Sequence, residues 1–287
     1  PLDNMAFDAG DRIFTAATSD GQILRLDTDG TVAALNERGF PGPGGIAVSP
    51  DGIVWVAADP FSIRGIGPDN EPVTTFFDRW DPPGTVPATG FTVAADDDRL
   101  ITTSWFSNAV QSFDPATGEV FEDIRTLAVP LNAIRHGEAL VAIQGGLPDG
   151  NNVVNAVTGE ELIGGLGLPL GLASDGETLY VSDWALGTVF AVASDGEVVA
   201  LASDLSSPEG LALDGDRLLV VEEALDRVSA IDLSSGEVTP VVEGLDLGGR
   251  VIPHSLPYGA FNGIAVGPDG SIFVTVDVTN TVYRFVR

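Results

Sequence analysis

Two polar side chains stand directly before a glycine at the start of an apolar run: Glu209 in Ser207-Pro208-Glu209-Gly210-Leu211, and Asn262 in Phe261-Asn262-Gly263-Ile264. Asp3 and Asn132 hold the matching place in weaker copies of the same pattern, with Asn4 and Leu131 as their alternatives by one residue. Carboxylate and amide oxygens delivered by separate elements suit Ca²⁺, or another divalent cation, because a hard ion accepts irregular geometry and many oxygen ligands. The plainer reading is a wet channel lined with polar groups, and for any one of these residues the two stay open. Of the two histidines, His254 lies between Arg250 and Tyr258, eight residues before Asn262. An imidazole with an ordinary pKa of about 6.5 is a general base or a metal ligand near neutrality; the alternative is a loop residue packed on Pro253 and Pro257. His136, in Arg135-His136-Gly137-Glu138, reads as a solvated turn residue. Trp105 and Trp184 follow apolar runs and either wall a substrate pocket or plug the space between sheets. Asp183, Glu222 and Asp277 end such runs and read as caps of the turns that follow.

These residues are positioned by a repeat. Gly45-Ile46-Ala47-Val48-Ser49-Pro50-Asp51-Gly52, Gly171-Leu172-Ala173-Ser174-Asp175-Gly176, Gly210-Leu211-Ala212-Leu213-Asp214-Gly215 and Gly263-Ile264-Ala265-Val266-Gly267-Pro268-Asp269-Gly270 are its clearest copies. Weaker copies begin near Asn4, Gly90 and Asn132, and successive starts lie about 40 residues apart, the period of a four-stranded propeller blade. The expectation is one all-β domain over 1–287: a single β-propeller of seven four-stranded blades at about 4–35, 45–77, 90–125, 131–163, 170–202, 209–243 and 263–287, with six blades as the alternative. The last unit supplies only three strands, so it is either three-stranded or closed by a strand lost upstream. Within each unit the strands run A to D from axis to rim; in the fifth they are 170–173, 178–182, 188–193 and 197–201, turning at Asp175-Gly176 and Asp195-Gly196. Two connections from an outer to an inner strand are long, 78–89 and 244–262, and they collect on one face.

Composition excludes several classes. The net charge is −29, from 42 acids against thirteen arginines and no lysine, which opposes binding to a phosphate backbone. Eight Asp-Gly dipeptides put much of that charge in solvated turns. There is no cysteine, hence no thiol nucleophile or zinc-thiolate site. No apolar run approaches the roughly 18 residues that span a bilayer, and the first residues carry no signal-peptide pattern, so the expectation is that any export signal has been removed or lies outside this sequence. A phosphate loop, a Gly-x-Ser-x-Gly elbow and a His-Glu-x-x-His motif are all lacking.

The Glu209-Gly210 and Asn262-Gly263 starts resemble those of the gluconolactonase/regucalcin (senescence marker protein) propellers, and runs such as Leu179-Tyr180-Val181-Ser182-Asp183 are similar to NHL-repeat propellers along most of the chain. The first resemblance implies that the acid and the amide before glycine hold a divalent metal, usually Ca²⁺, in the channel. Those lactonases have six longer blades and place their glutamate in the first, so the order of ligand types differs here. Shorter seven-unit propellers of the streptogramin (virginiamycin B) lyases are also similar, without their histidine signature. The expected function is therefore a metal-dependent hydrolase of a lactone or similar small ester. Glu209 and Asn262, with Asp3 and Asn132, hold the ion; Glu209 and His254 are catalytic; Arg250, Tyr258, Trp105 and Trp184 surround the substrate. The alternatives are a non-catalytic propeller binding a protein or carbohydrate, and a lyase. The expected partner is a small molecule, with no nucleic acid and no membrane span, for a monomer that is extracellular or periplasmic, the cytoplasm being the second choice.

Overall fold

A computed structural model of the chain describes residues 2–7, 11–17, 22–35, 43–58, 62–69, 71–77, 92–105, 107–146, 150–247, 262–276, 279 and 281–286. These form six four-stranded antiparallel sheets and one of three strands, each a meander of sequence neighbours. The unit 169–202 shows how the residues dictate the pattern. Its strands are Pro169–Ser174, Leu179–Asp183, Thr188–Val192 and Val198–Ala202. Gly176 and Gly196 adopt φ of 94° and 87° in the first and third hairpins, which a side chain would resist. The second strand is buried along its whole length, whereas the outermost begins with three exposed residues. That gradient marks a blade sandwiched between neighbours near the axis and wet at the rim.

Inner strands from six units surround one channel of ≈ 440 Å³, each contributing to its wall: Ala47, Ala94, Asn132, Leu172, Ala212 and Ala265 in turn. The six blades are 43–77, 92–124, 130–166, 169–202, 208–243 and 264–285, called first to sixth below. Six hydrophobic clusters fill the six junctions. Trp55 meets Phe113 between the first and second blades, and Ile101 meets Leu140 between the second and third. Ile143 meets Leu179, Tyr180 meets Leu218, and Leu219 meets Val274 at the next three. Val56 and Phe273 share the last cluster, which closes the ring between the first and sixth blades.

The expectation of seven blades is therefore corrected to the alternative, six. The N-terminal unit makes a four-stranded sheet, Leu2–Phe7, Ile13–Ala17, Gln22–Leu26 and Val32–Ala34, but no described residue of it joins any of the six clusters or the channel wall. The physical reason lies at the seam. A Cβ on Gly263 would sit 2.8 Å from the Ile46 nitrogen and 3.0 Å from the Gly44 oxygen, and the Thr275 hydroxyl donates to the Gly44 carbonyl. With those backbones in contact there is no room for a seventh inner strand between them. Among the described residues the sixth blade has three strands, Ile264–Val266, Ile272–Val276 and Thr281–Phe285, the number read from the sequence for the last unit.

Candidate functional site

At the channel end where inner strands begin, neighbouring blades are stitched together by hydrogen bonds to the residue before the inner-strand glycine or, in the third blade, before Asn132. The second, fourth and sixth blades use a hydroxyl at the penultimate position of their second strand. Ser182 Oγ accepts from the Gly171 N–H at 2.8 Å and donates to the Glu209 carbonyl at 2.5 Å. Thr275 Oγ1 accepts from the Gly263 N–H at 2.6 Å while it donates to Gly44. Thr103 Oγ1 donates to the Leu131 carbonyl at 3.3 Å and shares a 2.5 Å contact with Thr92 Oγ1. Gly171 has to be glycine for this approach: a Cβ there would fall 2.1 Å from the Glu209 oxygen. The third blade instead sends Asn132 Nδ2 to the Leu170 carbonyl at 2.9 Å.

Between the fifth and sixth blades the bridge runs from a carboxylate to an amide. Glu209, with 0% exposure, accepts through Oε2 from the Asn262 backbone N–H at 3.0 Å and from Asn262 Nδ2 at 2.9 Å. Asn262, 1% exposed, also reaches the Leu247 carbonyl at 3.4 Å, and the Gly210 N–H donates to the Asn262 carbonyl at 3.2 Å. Charge-assisted bonds of this kind are what a carboxylate removed from water requires. The carboxylate and the amide singled out in the sequence thus meet at one point, just before the first strand of the sixth blade. Asn132 lies in the channel wall two blades away, held by its own bond. Asp3 lies in Leu2–Phe7, which is not one of the six lining strands. His254, Arg250 and Tyr258 lie outside the described residues, as does Asp277. Among the described residues, no three His, Cys, Asp or Glu side chains come together as a cation site.

Trp105 and Trp184 are half-buried, and both pack on the cluster between the third and fourth blades. Trp184 Nε1 also donates to Glu223 Oε2 on the fifth blade at 2.7 Å. Asp183 accepts four backbone N–H groups, from Gly167, Leu168, Ala185 and Leu186, and Glu222 accepts from Ser206, Arg227 and Ser229. Asp183 caps the turn that follows it, as read from its position, whereas Glu222 makes no side-chain hydrogen bond to the turn after it and instead ties the preceding loop to the third strand of its blade.

The opposite mouth departs from expectation. His136 is half-buried, and its Nδ1 lies 2.7 Å from Ser174 Oγ on the next blade. Burial holds the imidazole pKa below its ordinary value, with the Asp175 carboxylate pulling the other way. Sequence reasoning missed both this contact and the hydroxyl bridges. The available signal was the recurrence of Ser182 and Thr275 in Val-Ser-Asp and Val-Thr-Val, one residue short of a strand end.

No protein-family profile matches the chain, and no curated protein does. Solved structures do. A Bacteroides thetaiotaomicron structural genomics protein of unknown function superposes with a TM-score of 0.64 at 16% identity, covering 98% of this chain and 89% of that one. Virginiamycin B lyase from Staphylococcus aureus gives 0.54 at 11%, covering 96% and 92%. A chain of a nidogen/laminin complex gives 0.52 at 18%, covering 95% and 88%. At such identities the likeness is one of fold, and the fold is that of the β-propellers.

Proposed function

We propose that the mouth of the channel at Glu209 and Asn262 is a small-molecule site, and that the chain hydrolyses a lactone or similar small ester with a divalent cation, Ca²⁺ by the chemistry of its ligands. The observation that supports this is a carboxylate wholly shielded from water, 2.9 Å from an amide, where two adjacent innermost strands begin, Glu209 second in its strand and Asn262 two residues before the next. A carboxylate and amide oxygens are the donors such an ion takes. Glu209 and Asn262 would hold it, with the Asn132 side chain in the same channel wall and Asp3 as the weakest member. When bound, the ion supplies electrostatic stabilisation to a developing oxyanion. Glu209 fixes Asn262 through two hydrogen bonds and carries the negative charge of the site. In this reading His254 takes the proton from water, Arg250 and Tyr258 bind the substrate from the same connection, and Trp105 and Trp184 flank it. The protein is then an extracellular or periplasmic monomer. Among the described residues no helix is long and apolar enough to cross a membrane.

The test is hydrolysis of a panel of five- and six-membered lactones, with and without chelator. Activity that chelation removes and Ca²⁺ restores, and that falls at least about a hundredfold in Glu209→Gln and in His254→Ala, is the expected result. No turnover, together with a melting temperature indifferent to Ca²⁺ and chelator, would overturn it. A second reading, a non-catalytic binding propeller or a lyase on the same scaffold, is favoured by one observation. Glu209 and Asn262 are hydrogen-bonded to one another and bridge two blades just as the hydroxyls do at other junctions. On that reading Glu209→Gln changes stability and nothing else.

A further inference from the structure

Five junctions of the ring are filled by one rule, and the sixth breaks it. In the first five blades the third-strand residue paired with the penultimate residue of the second strand packs into the next junction: Ile63, Val110, Val153, Val189 and Val228. A residue of the outermost strand pairs with each of these and packs into the same cluster: Phe76, Ile124, Ile163, Ala202 and Val242 in turn. In the sixth blade Val282 holds the matching place, paired with Thr275 and packed on the cluster at the seam. Among the described residues no outer strand pairs with Thr281–Phe285, so nothing of that kind stands opposite Val282.

Where that residue would lie, the seam opens into a cavity of ≈ 620 Å³, walled by Phe273 and Val282 on one side and by Val48, Val54 and Ile66 on the other. Its charged groups are engaged: Asp51 with the Ser49 hydroxyl at 2.5 Å, Asp269 with Ser271 and Arg284 at 2.9 and 2.8 Å, and half-buried Arg64 is not free either. The third strands of the other five blades have no exposed residue, whereas Tyr283 and Arg284 are exposed. An uncovered strand edge beside an apolar hole suits an extended chain, whose backbone pairs along the edge while one side chain fills the hole.

We propose that the sixth blade binds an extended segment of a partner protein as its fourth strand, antiparallel to Thr281–Phe285, with a large apolar residue opposite Val282 that plugs the seam. The five outer strands already in the ring give that residue its chemistry, since every one of them brings an aromatic or aliphatic side chain to this place. The chain has no spare strand among the described residues, because each of the others is paired within its own four-stranded sheet. A second copy carries the same net charge of −29, and the two would repel one another.

The probe is a peptide of residues 69–77 of this chain, Asp-Asn-Glu-Pro-Val-Thr-Thr-Phe-Phe, whose Phe76 is the plug of the first junction. Hydrogen exchange of the whole protein, read by mass spectrometry with and without the peptide, should slow at residues 281–285. The same peptide with Phe76→Gly should bind at least about tenfold more weakly, the margin of one buried aromatic side chain. Val282→Trp fills the hole from within and should abolish binding. Joining the nine residues behind Arg287, in the register of the first blade, supplies the strand in cis. That extended chain should melt about 4 °C higher or more, and the free peptide should no longer protect its edge. Unchanged exchange at 281–285, equal protection by the Phe76→Gly peptide, or peptide protection that persists in the extended chain would each overturn the proposal. So would an edge that is slow to exchange without any peptide: with a dimer in sedimentation it belongs to a second copy, and with a monomer to the chain itself.

Discussion

A carboxylate that never meets water must find its donors inside the protein, and Glu209 finds two of them on the next blade. Replacing it with glutamine keeps the shape but turns charge-assisted bonds into neutral ones. Glu209→Gln should lower stability by about 1–3 kcal/mol, read from urea melts with an unchanged slope. Gly171→Ala tests the crowding beside it. With the Glu209 oxygen 2.1 Å from the added carbon, the variant should fail to fold or lose well over about 2 kcal/mol. Gly215→Ala, with φ of 65° but open space around it, should cost only about 1 kcal/mol. His136 gives a pH signature. Its folded pKa is depressed, so the unfolded chain binds the proton more readily. The stability it contributes is whole above the unfolded value of about 6.5 and is lost as pH falls through the lower folded value. Between pH 7 and 5 the wild type should therefore lose more stability than His136→Gln; parallel curves would show that burial of the ring has no such effect. Asp232, held down to about 2 by the Ser234 and Ser235 hydroxyls, acts only in far more acid solution. At this scale the sequence was legible where chemistry repeats a motif, as with Glu209-Gly210 and Asn262-Gly263. It was opaque for His136 and Ser174, because contacts between residues 38 apart depend on how blades are set, not on local pattern.

The strand hairpin is the element that carries the architecture, and it was the most readable part of the chain. Asp-Gly turns and runs such as Leu218-Leu219-Val220-Val221 placed the four strands of the fourth blade and the second strand of the fifth within one or two residues of their true ends. What the hairpins do to one another was less visible. Ser182 and Thr275 look like ordinary strand residues, yet each hydroxyl ties an inner glycine to the carbonyl of the following blade. Removing one leaves a buried N–H and a buried carbonyl each short of a partner. Ser182→Ala should cost about 1–3 kcal/mol, whereas Ser182→Thr, which reproduces the arrangement at Thr275, should stay within about 1 kcal/mol of wild type. If the two variants melt alike, the hydroxyl bridge is not what joins these blades.

The whole molecule is where counting repeats misled, since a sequence shows how many units exist but not which of them meet. The seam of Gly44, Gly45 and Ile46 against Gly263 decides the number at six, and nothing local announces it. A chain that begins at Pro41 should therefore keep a cooperative thermal transition, because all six clusters lie within residues 46–285. Loss of that transition in calorimetry would mean that the N-terminal sheet is part of the core. The same seam sets how the ring yields under load. Its first and sixth blades touch side by side although they stand at opposite ends of the ring's chain, whereas the other five contacts join consecutive blades. Tension drawn between residues 43 and 285 falls at once on the Thr275–Gly44 hydrogen bond and the Val56–Phe273 cluster, and on the remaining junctions only afterwards. In an optical trap the ring should open there first, as a clasp does, into a five-jointed arc of intact blades that recloses when the force is released.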